Sequence, residues 1–405
     1  MAEMIEVIPS GTVTSPKGFT AGATYAGLKT YSPDKLDLGL LVSEKPSIAT
    51  GVFTTNKVVS PSVTLSKTHI KSGEAQAIVA NSGCANTCVG DQGLKDAQEV
   101  VELAARHLNM TPEQVLICST GVIGVELPMA LIRKHIGNID CTNEGGHQLA
   151  QAIMTTDTHP KEIAVSVNVN GKKITIGGIA KGSGMIHPNM ATMLSFISTD
   201  AVLEKTFINH SLREAVNSSF NMIDVDGDQS TNDSVILLAN GVAANDMIES
   251  GTPAAKTFQA ALNYVCIGLA KELARDGEGS TKLIEATVEG ARTIDEARLV
   301  ARSVVTSVLV KAAIHGNDPN WGRIMMALGN SGVEIDESKI ALYISDICIV
   351  EEGRPIPYFA DAVVAAMASN DVSLKIQLNL GKSTATAWGS EMTEEYVTFN
   401  SAYTT

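Results

Sequence analysis

The alternation of apolar and polar positions divides the chain into short strands and longer amphipathic helices. Phe19 to Thr24, Leu38 to Val42 and Gly51 to Thr54 read as strands separated by turns. Ala77-Ile78-Val79-Ala80 is a buried strand that ends in Asn81-Ser82-Gly83. Helical spacing follows from Leu94 to Leu108, with Val100, Val101, Leu103, Ala104 and Leu108 apolar. Val115 to Cys118 is a strand running into Ser119-Thr120-Gly121, and Leu127 to His135 and Gly146 to Met154 are helices. The second of these stops at Thr155-Thr156-Asp157-Thr158, whose side chains compete for backbone hydrogen bonds. Ile163 to Val169 and Lys172 to Ile176 flank Asn170-Gly171, the residue pair of a tight hairpin.

The middle of the chain changes character at Lys181. Gly182, Gly184, Pro188 and Asn189 make a loop, and Met193 to Ile197 is a short apolar run of a buried strand. Beyond it, helices are predicted over Leu203 to Phe220, Thr257 to Ala274 and Asp295 to Ile314, with strands at Ser234 to Leu238 and Leu283 to Val288. Gly316 to Arg323 reads as a rigid loop. From Ile340 the order is strand, strand, helix (Ala360 to Ala368), strand (Val372 to Leu380), strand, which suggests a smaller α/β C-terminal lobe over about residues 288–405.

Composition narrows the field. The 405 residues exceed one typical domain, and 44% apolar with 18% charged residues is an ordinary soluble balance. A net charge of −14 argues against nucleic acid and anionic membranes as partners, because both need a basic face. Of the six cysteines only Cys84 and Cys88 are close, with no second pair or nearby histidines to complete a zinc site. They read as reduced thiols of a cytoplasmic protein. The N-terminus has Glu3 and Glu6 and no base before Lys17, unlike a targeting peptide, and no apolar run is long enough to span a membrane. The acidic run after Asp224 places Gln229 and Val235 where a calcium loop needs Gly and Glu, so it is read as a structural loop that could lie near a site. Gly381-Lys382-Ser383 and Gly182-Ser183-Gly184 each lack the further glycine of a phosphate or dinucleotide loop.

The chemistry centres on Ala191-Thr192. A hydroxyl sits at a loop-to-strand junction, behind a small residue that leaves its carbonyl open to attack. A threonine hydroxyl becomes a good nucleophile when a base takes its proton, and the threonine's own α-amine serves once the preceding peptide bond is cut. That amine has a pKa of about 7.7–8.0, so it is part neutral at working pH. Taken alone, a threonine before a strand is ordinarily nothing more.

The run Lys181-Gly-Ser-Gly-Met-Ile-His-Pro-Asn-Met-Ala-Thr-Met-Leu194 resembles the self-cleavage signature of the ornithine acetyltransferases, also called bifunctional glutamate N-acetyltransferases. Gly18-Phe19-Thr20-Ala21-Gly22, Gly51-Val52-Phe53-Thr54-Thr55-Asn56, Ser119-Thr120-Gly121-Val122-Ile123-Gly124 and Asp276-Gly277-Glu278-Gly279 match the family in order, over most of the chain. Two places depart from it. Cys84 stands where many members have Asn, and Gly389 to Tyr396 replaces the usual Gly-Cys-Asp-Leu-Thr-Tyr-Asp-Tyr.

The resemblance implies an αββα-type sandwich similar to N-terminal-nucleophile enzymes. It implies a cut at Ala191-Thr192 giving chains 1–191 and 192–405, and an α2β2 assembly. Thr192 is then the nucleophile, Thr120 and Gly121 form the oxyanion hole, and Thr155, Lys181, Thr192, Glu278, Asn400 and Thr405 bind substrate. The implied reaction, part of arginine biosynthesis, moves an acetyl group from N2-acetylornithine to glutamate. No metal or cofactor is implied, and acetyl-CoA enters only as a possible substrate. Two other readings stay open: an aminopeptidase or amidase that resolves the same intermediate with water, and an unprocessed, non-catalytic small-molecule binder.

Overall fold

The computed structural model describes residues 5–29, 33–187 and 193–402. The strands are β1 Glu6–Val7, β2 Phe19–Thr24, β3 Leu38–Phe53, β4 Glu74–Cys84, β5 Val115–Val122, β6 Lys161–Val169, β7 Lys172–Lys181, β8 Leu194–Thr199, β9 Ile223–Asp224, β10 Ser234–Ala239, β11 Leu283–Ala291, β12 Ala341–Ile344, β13 Ile347–Glu351, β14 Arg354–Pro355, β15 Asp371–Gln377 and β16 Ser383–Ser390. The helices are α1 Pro61–His69, α2 Gln92–Leu108, α3 Met129–His135, α4 Gly146–Ile153, α5 Lys205–Ser218, α6 Pro253–Arg275, α7 Ile294–Thr306, α8 Val308–His315, α9 Trp321–Gly329, α10 Ala360–Met367 and α11 Glu394–Ala402.

These elements build two sheets. The first runs β1-β6-β7-β8-β10-β3-β4-β5, with β2 added on β3, and the second runs β14-β13-β12-β15-β11-β16-β9. This is the mixed α/β class expected. The hairpin forms as its turn residues require: Asn170 and Gly171 both take positive φ, and β6 pairs antiparallel with β7 from Val169↔Lys172 onward. β8 lies between β7, antiparallel, and β10, parallel, with all six of its residues buried. That explains its unbroken apolar and small-residue sequence.

Alternation along the strands splits the core. Ile78 and Ala80 of β4 and Leu116 and Cys118 of β5 point to α4, whereas Ala77, Val79, Val115 and Ile117 point to α2. A third cluster joins α5, α6 and α7 to both sheets, so one apolar core links them. The second sheet takes β9 from well before residue 288, and its inner strand β11 crosses that residue.

Three expectations change, and the tail gains a helix. Leu38 to Val42 and Gly51 to Thr54 are one strand, β3, because a register shift between Val42 and Ser47 accommodates the exposed Glu44, Lys45 and Pro46. The helix over Asp295 to Ile314 is two, broken at Ser307, whose extended backbone lets its side chain accept from Val310 N–H and cap α8. The loop Gly316 to Arg323 ends early, since α9 begins at Trp321. The tail containing Asn400 is helical, α11, with no buried residue to give it an apolar stripe.

Candidate active site

The strand ends on one side of the first sheet open on a cavity of about 160 Å³. Thr120, Gly121, Thr155, Lys181, Glu278 and Asn400 all line it, and so does Met193, the residue after Thr192. The chain separations are large, so it is the topology that brings these six residues together. Ala191, Thr192 and Thr405 lie outside the described residues.

Thr120 and Gly121 sit where β5 leaves its pairing with β4. Gly121 has φ +124°, and a β-carbon there would lie 2.3 Å from the Gly83 carbonyl carbon, so no larger residue fits this close backbone approach. Cys84, the departure noted above, pairs with Thr120 in this register; it is buried, and burial raises its thiol pKa, so it stays an inert neutral group beside the site. Asn232 fixes the segment from below: its Nδ2 donates to Ala85 O at 2.6 Å and to Ser119 O at 2.8 Å.

Lys181 ends β7 and is buried. Its Nζ donates to Thr155 Oγ1 at 2.9 Å and to Thr120 Oγ1 at 3.3 Å. A lysine can only donate, so both hydroxyls must accept from it and keep their own hydrogens for another partner. For Thr120 that hydrogen is free to meet an oxyanion in the cavity. Burial pushes the Lys181 pKa down, with Lys161 adding to it, while Asp157, Asp233 and Glu278 pull it back up.

Behind Lys181 lies a buried ion cluster. Lys161 Nζ contacts Asp157 Oδ1 at 2.7 Å and Asp276 Oδ2 at 2.6 Å, with the lysine wholly buried. Asp157 also accepts from Gly182 N–H at 2.6 Å and Thr155 N–H at 3.0 Å. Burial alone would raise its pKa, but Lys161, Lys181 and these donors outweigh it and hold the carboxyl below its ordinary range. Asp276 carries the cluster to Glu278, whose N–H donates to Ser183 O at 2.8 Å.

The Glu278 carboxylate lies against Gly184, where a β-carbon would come within 2.5 Å of it, and accepts from Asn400 Nδ2 at 2.9 Å. Thus α11, absent from the sequence reading as a helix, delivers Asn400 and Tyr396 to the cavity.

The loop after Asp224 supplies what the sequence reading left unassigned: Asp226, Asp228 and Asp233 line the cavity. Asp226 accepts from Met185 N–H at 2.6 Å and Ile186 N–H at 2.9 Å, and Val225 N–H donates to Ile186 O at 2.7 Å. The loop therefore fastens the segment that leads to residue 191. The density of Asp, Ser, Thr and Asn in residues 224–234 was the available signal. Among the described residues no group of His, Cys, Asp and Glu is arranged to hold a metal ion, and no helix is long and apolar enough to cross a membrane.

The profile of the ArgJ family matches residues 20–405. The chain belongs to the ArgJ family. The "Arginine biosynthesis bifunctional protein ArgJ" of Dehalococcoides mccartyi is 48% identical over 405 residues, covering 100% of both chains. That of Symbiobacterium thermophilum is 47% identical, covering 98% of this chain and 99% of the relative. The crystal structure of the protein of that name from Bacillus halodurans matches with a TM-score of 0.50 at 40% identity, covering 51% of this chain and 98% of the solved one. The lining of the cavity comes from both sides of the Ala191-Thr192 bond.

Proposed function

We propose that this ArgJ chain cuts itself between Ala191 and Thr192 and then transfers an acetyl group from N2-acetylornithine to glutamate through acetyl-Thr192. Membership of the family makes it an acyltransferase of the ornithine acetyltransferase and glutamate N-acetyltransferase kind. The observation that carries the finer reading is the cavity itself. The six residues to which the resemblance gives this chemistry line one space, next to Met193.

In this mechanism the freed α-amine of Thr192 takes the proton from Oγ, which attacks the acetyl carbonyl. Thr120 O–H and Gly121 N–H hold the oxyanion; Lys181 sets the direction of the Thr120 hydroxyl. Ornithine leaves, glutamate enters, and its α-amine takes the acetyl group in a ping-pong cycle. Glu278, held by Asn400, is the counter-charge for an amine, while Thr155 and Lys181 form the polar floor. No resident cofactor takes part; acetyl-CoA, where used, enters as a second acetyl donor.

One fact supports the cut. The Bacillus halodurans chain is covered almost entirely while spanning half of this one, so it is about half as long. After a cut the fragments would share a sheet, since β7 and β8 pair from Ile176↔Thr199 to Lys181↔Leu194. On this reading the pieces stay together and assemble as α2β2. The test is intact mass under denaturing conditions beside Thr192→Ala. Two fragments beginning at Met1 and Thr192, and one 42.5 kDa chain for the variant, are expected. A wild-type chain that stays whole would sink the proposal.

A further inference from the structure

The proposed α-amine base explains acetyl transfer but not the cut that creates it. Until the cut is made, that nitrogen is an amide with no basic lone pair, and it must itself gain a proton as it leaves. The proton has to come from another group in the cavity.

Asp233 is placed for this. It lines the cavity and is 2% exposed. It directly precedes β10, and the next residue, Ser234, donates its N–H to Met193 O at 2.9 Å. Ser234 is level with Leu194 in the parallel register, so Asp233 is level with Met193. The Ser230 side chain bonds the Asp233 carboxyl, but Oδ2 has no partner among the described residues. A buried carboxylate with an unpaired oxygen is costly, whereas a carboxylic acid offers there a hydrogen seeking an acceptor.

Other charged groups around the cavity do not substitute for it. Asp226 is occupied by backbone donors, Glu278 by Asn400, and Lys181 by two threonine hydroxyls. Asp228 and Tyr396 also line the cavity, where Asp228 N–H and the Tyr396 hydroxyl both bond the Asp226 carboxylate. Burial raises the Asp233 pKa well above the ordinary carboxyl range, and the pull of Ser230 and Lys181 does not reverse it. The acid is therefore available where most carboxyls are ionised.

We infer that Asp233 is the proton donor for self-cleavage: its carboxyl protonates the Thr192 nitrogen as the bond to Ala191 breaks. This rests on the cleavage reading above. Thr192 Oγ bonds to the Ala191 carbonyl carbon, the C–N bond breaks, and the Asp233 proton goes to nitrogen. The threonine's hydroxyl proton returns to the Asp233 carboxylate through solvent. Water then hydrolyses the ester, giving the Ala191 carboxylate and a Thr192 with free hydroxyl and amine.

The test is cell-free synthesis of the full chain with labelled methionine, followed by a chase at pH 6–9 and separation of the fragments. Asp233→Asn is expected to cut at least about 100-fold more slowly, the scale of general-acid catalysis. Asp233→Glu should recover part of the rate. Wild-type cutting should fall as pH rises through the raised Asp233 pKa, and the residual cutting of Asp233→Asn should lack that fall. Asp233→Asn cutting at the wild-type rate, or a wild-type rate that does not fall with pH, would overturn the inference. An uncut Asp233→Asn chain melting well below uncut Thr192→Ala would do the same, because a structural defect would then explain the loss. A wild-type chain that never cuts would instead refute the cleavage reading.

Discussion

Two buried aspartates border the same site and meet opposite fates. Asp157 accepts from Lys161, from Gly182 N–H and from Thr155 N–H, and is held ionised. Asp233 has the Ser230 side chain on its carboxyl and an oxygen with no partner among the described residues, and burial pushes its pKa well above the ordinary carboxyl range. Both feel Lys181. Burial acts in the same direction on each, so its cost does not distinguish them; the number of donors does. The Asp157 wall fixes the backbone of Thr155 and Gly182 in place. The Asp233 wall leaves chemical potential unspent beside Met193.

The comparison is sharpened most by breaking the paired wall. Lys161→Met leaves Asp157 and Asp276 buried without their shared cation. The expected loss of stability is about 3–5 kcal/mol. It is best read from urea unfolding in the Thr192→Ala background, where a single chain unfolds. A loss below about 1 kcal/mol would mean that water or a rearranged partner reaches the cluster.

Next in size is Thr120→Val, which removes the hydroxyl that Lys181 orients and keeps the shape. On the proposed mechanism kcat falls about 10²–10³-fold, with KM little changed. Thr120→Ser should restore most of it. An unchanged kcat would take Thr120 out of the oxyanion hole.

The two aspartates also predict opposite pH slopes. The folded pKa of Asp157 lies below its unfolded value of about 3.9, so its stabilisation is complete at neutral pH and is lost as pH falls through the folded pKa. The folded pKa of Asp233 lies above its unfolded value, so its contribution is complete in acid and is lost as pH rises through the raised value. In melting curves from pH 3 to 9, Asp157→Asn should flatten the acid limb and Asp233→Asn the alkaline limb. Identical limbs in both variants would erase the distinction.

The sequence carried much of the frame because alternation and turn chemistry are local. β2 and the Asn170-Gly171 hairpin have the bounds or turn that their own residues imply. Family resemblance then picked out Thr120, Gly121, Thr155, Lys181, Glu278 and Asn400 before any fold placed them around one cavity. The difference between Asp157 and Asp233 was not legible. Each is an aspartate in a polar run, and what separates them is tertiary: Asp276 comes from the end of α6, and Ser234 is paired with Met193. The break at Ser307 was hidden for a related reason. Val304, Val305 and Val310 are buried on both sides of it and preserve a helical stripe across a capped junction. The helix α11 had the opposite problem, with no buried stripe to read.

The smallest expected effect tests the open wall from its exposed side. Asn400 reaches Glu278 from α11 through one hydrogen bond of 2.9 Å and is itself exposed. Water competes there, so removing the bond by Asn400→Ala should cost only about 1 kcal/mol of substrate binding, roughly a fivefold rise in KM. If Glu278 pairs with the ornithine side-chain amine, the rise should appear for N2-acetylornithine and be weaker for glutamate, whose side chain carries the opposite charge. Equal rises for both substrates would place Asn400 in a contact with the part they share, and would move the recognition of side-chain charge to Asp226 or Asp228, which also line the cavity.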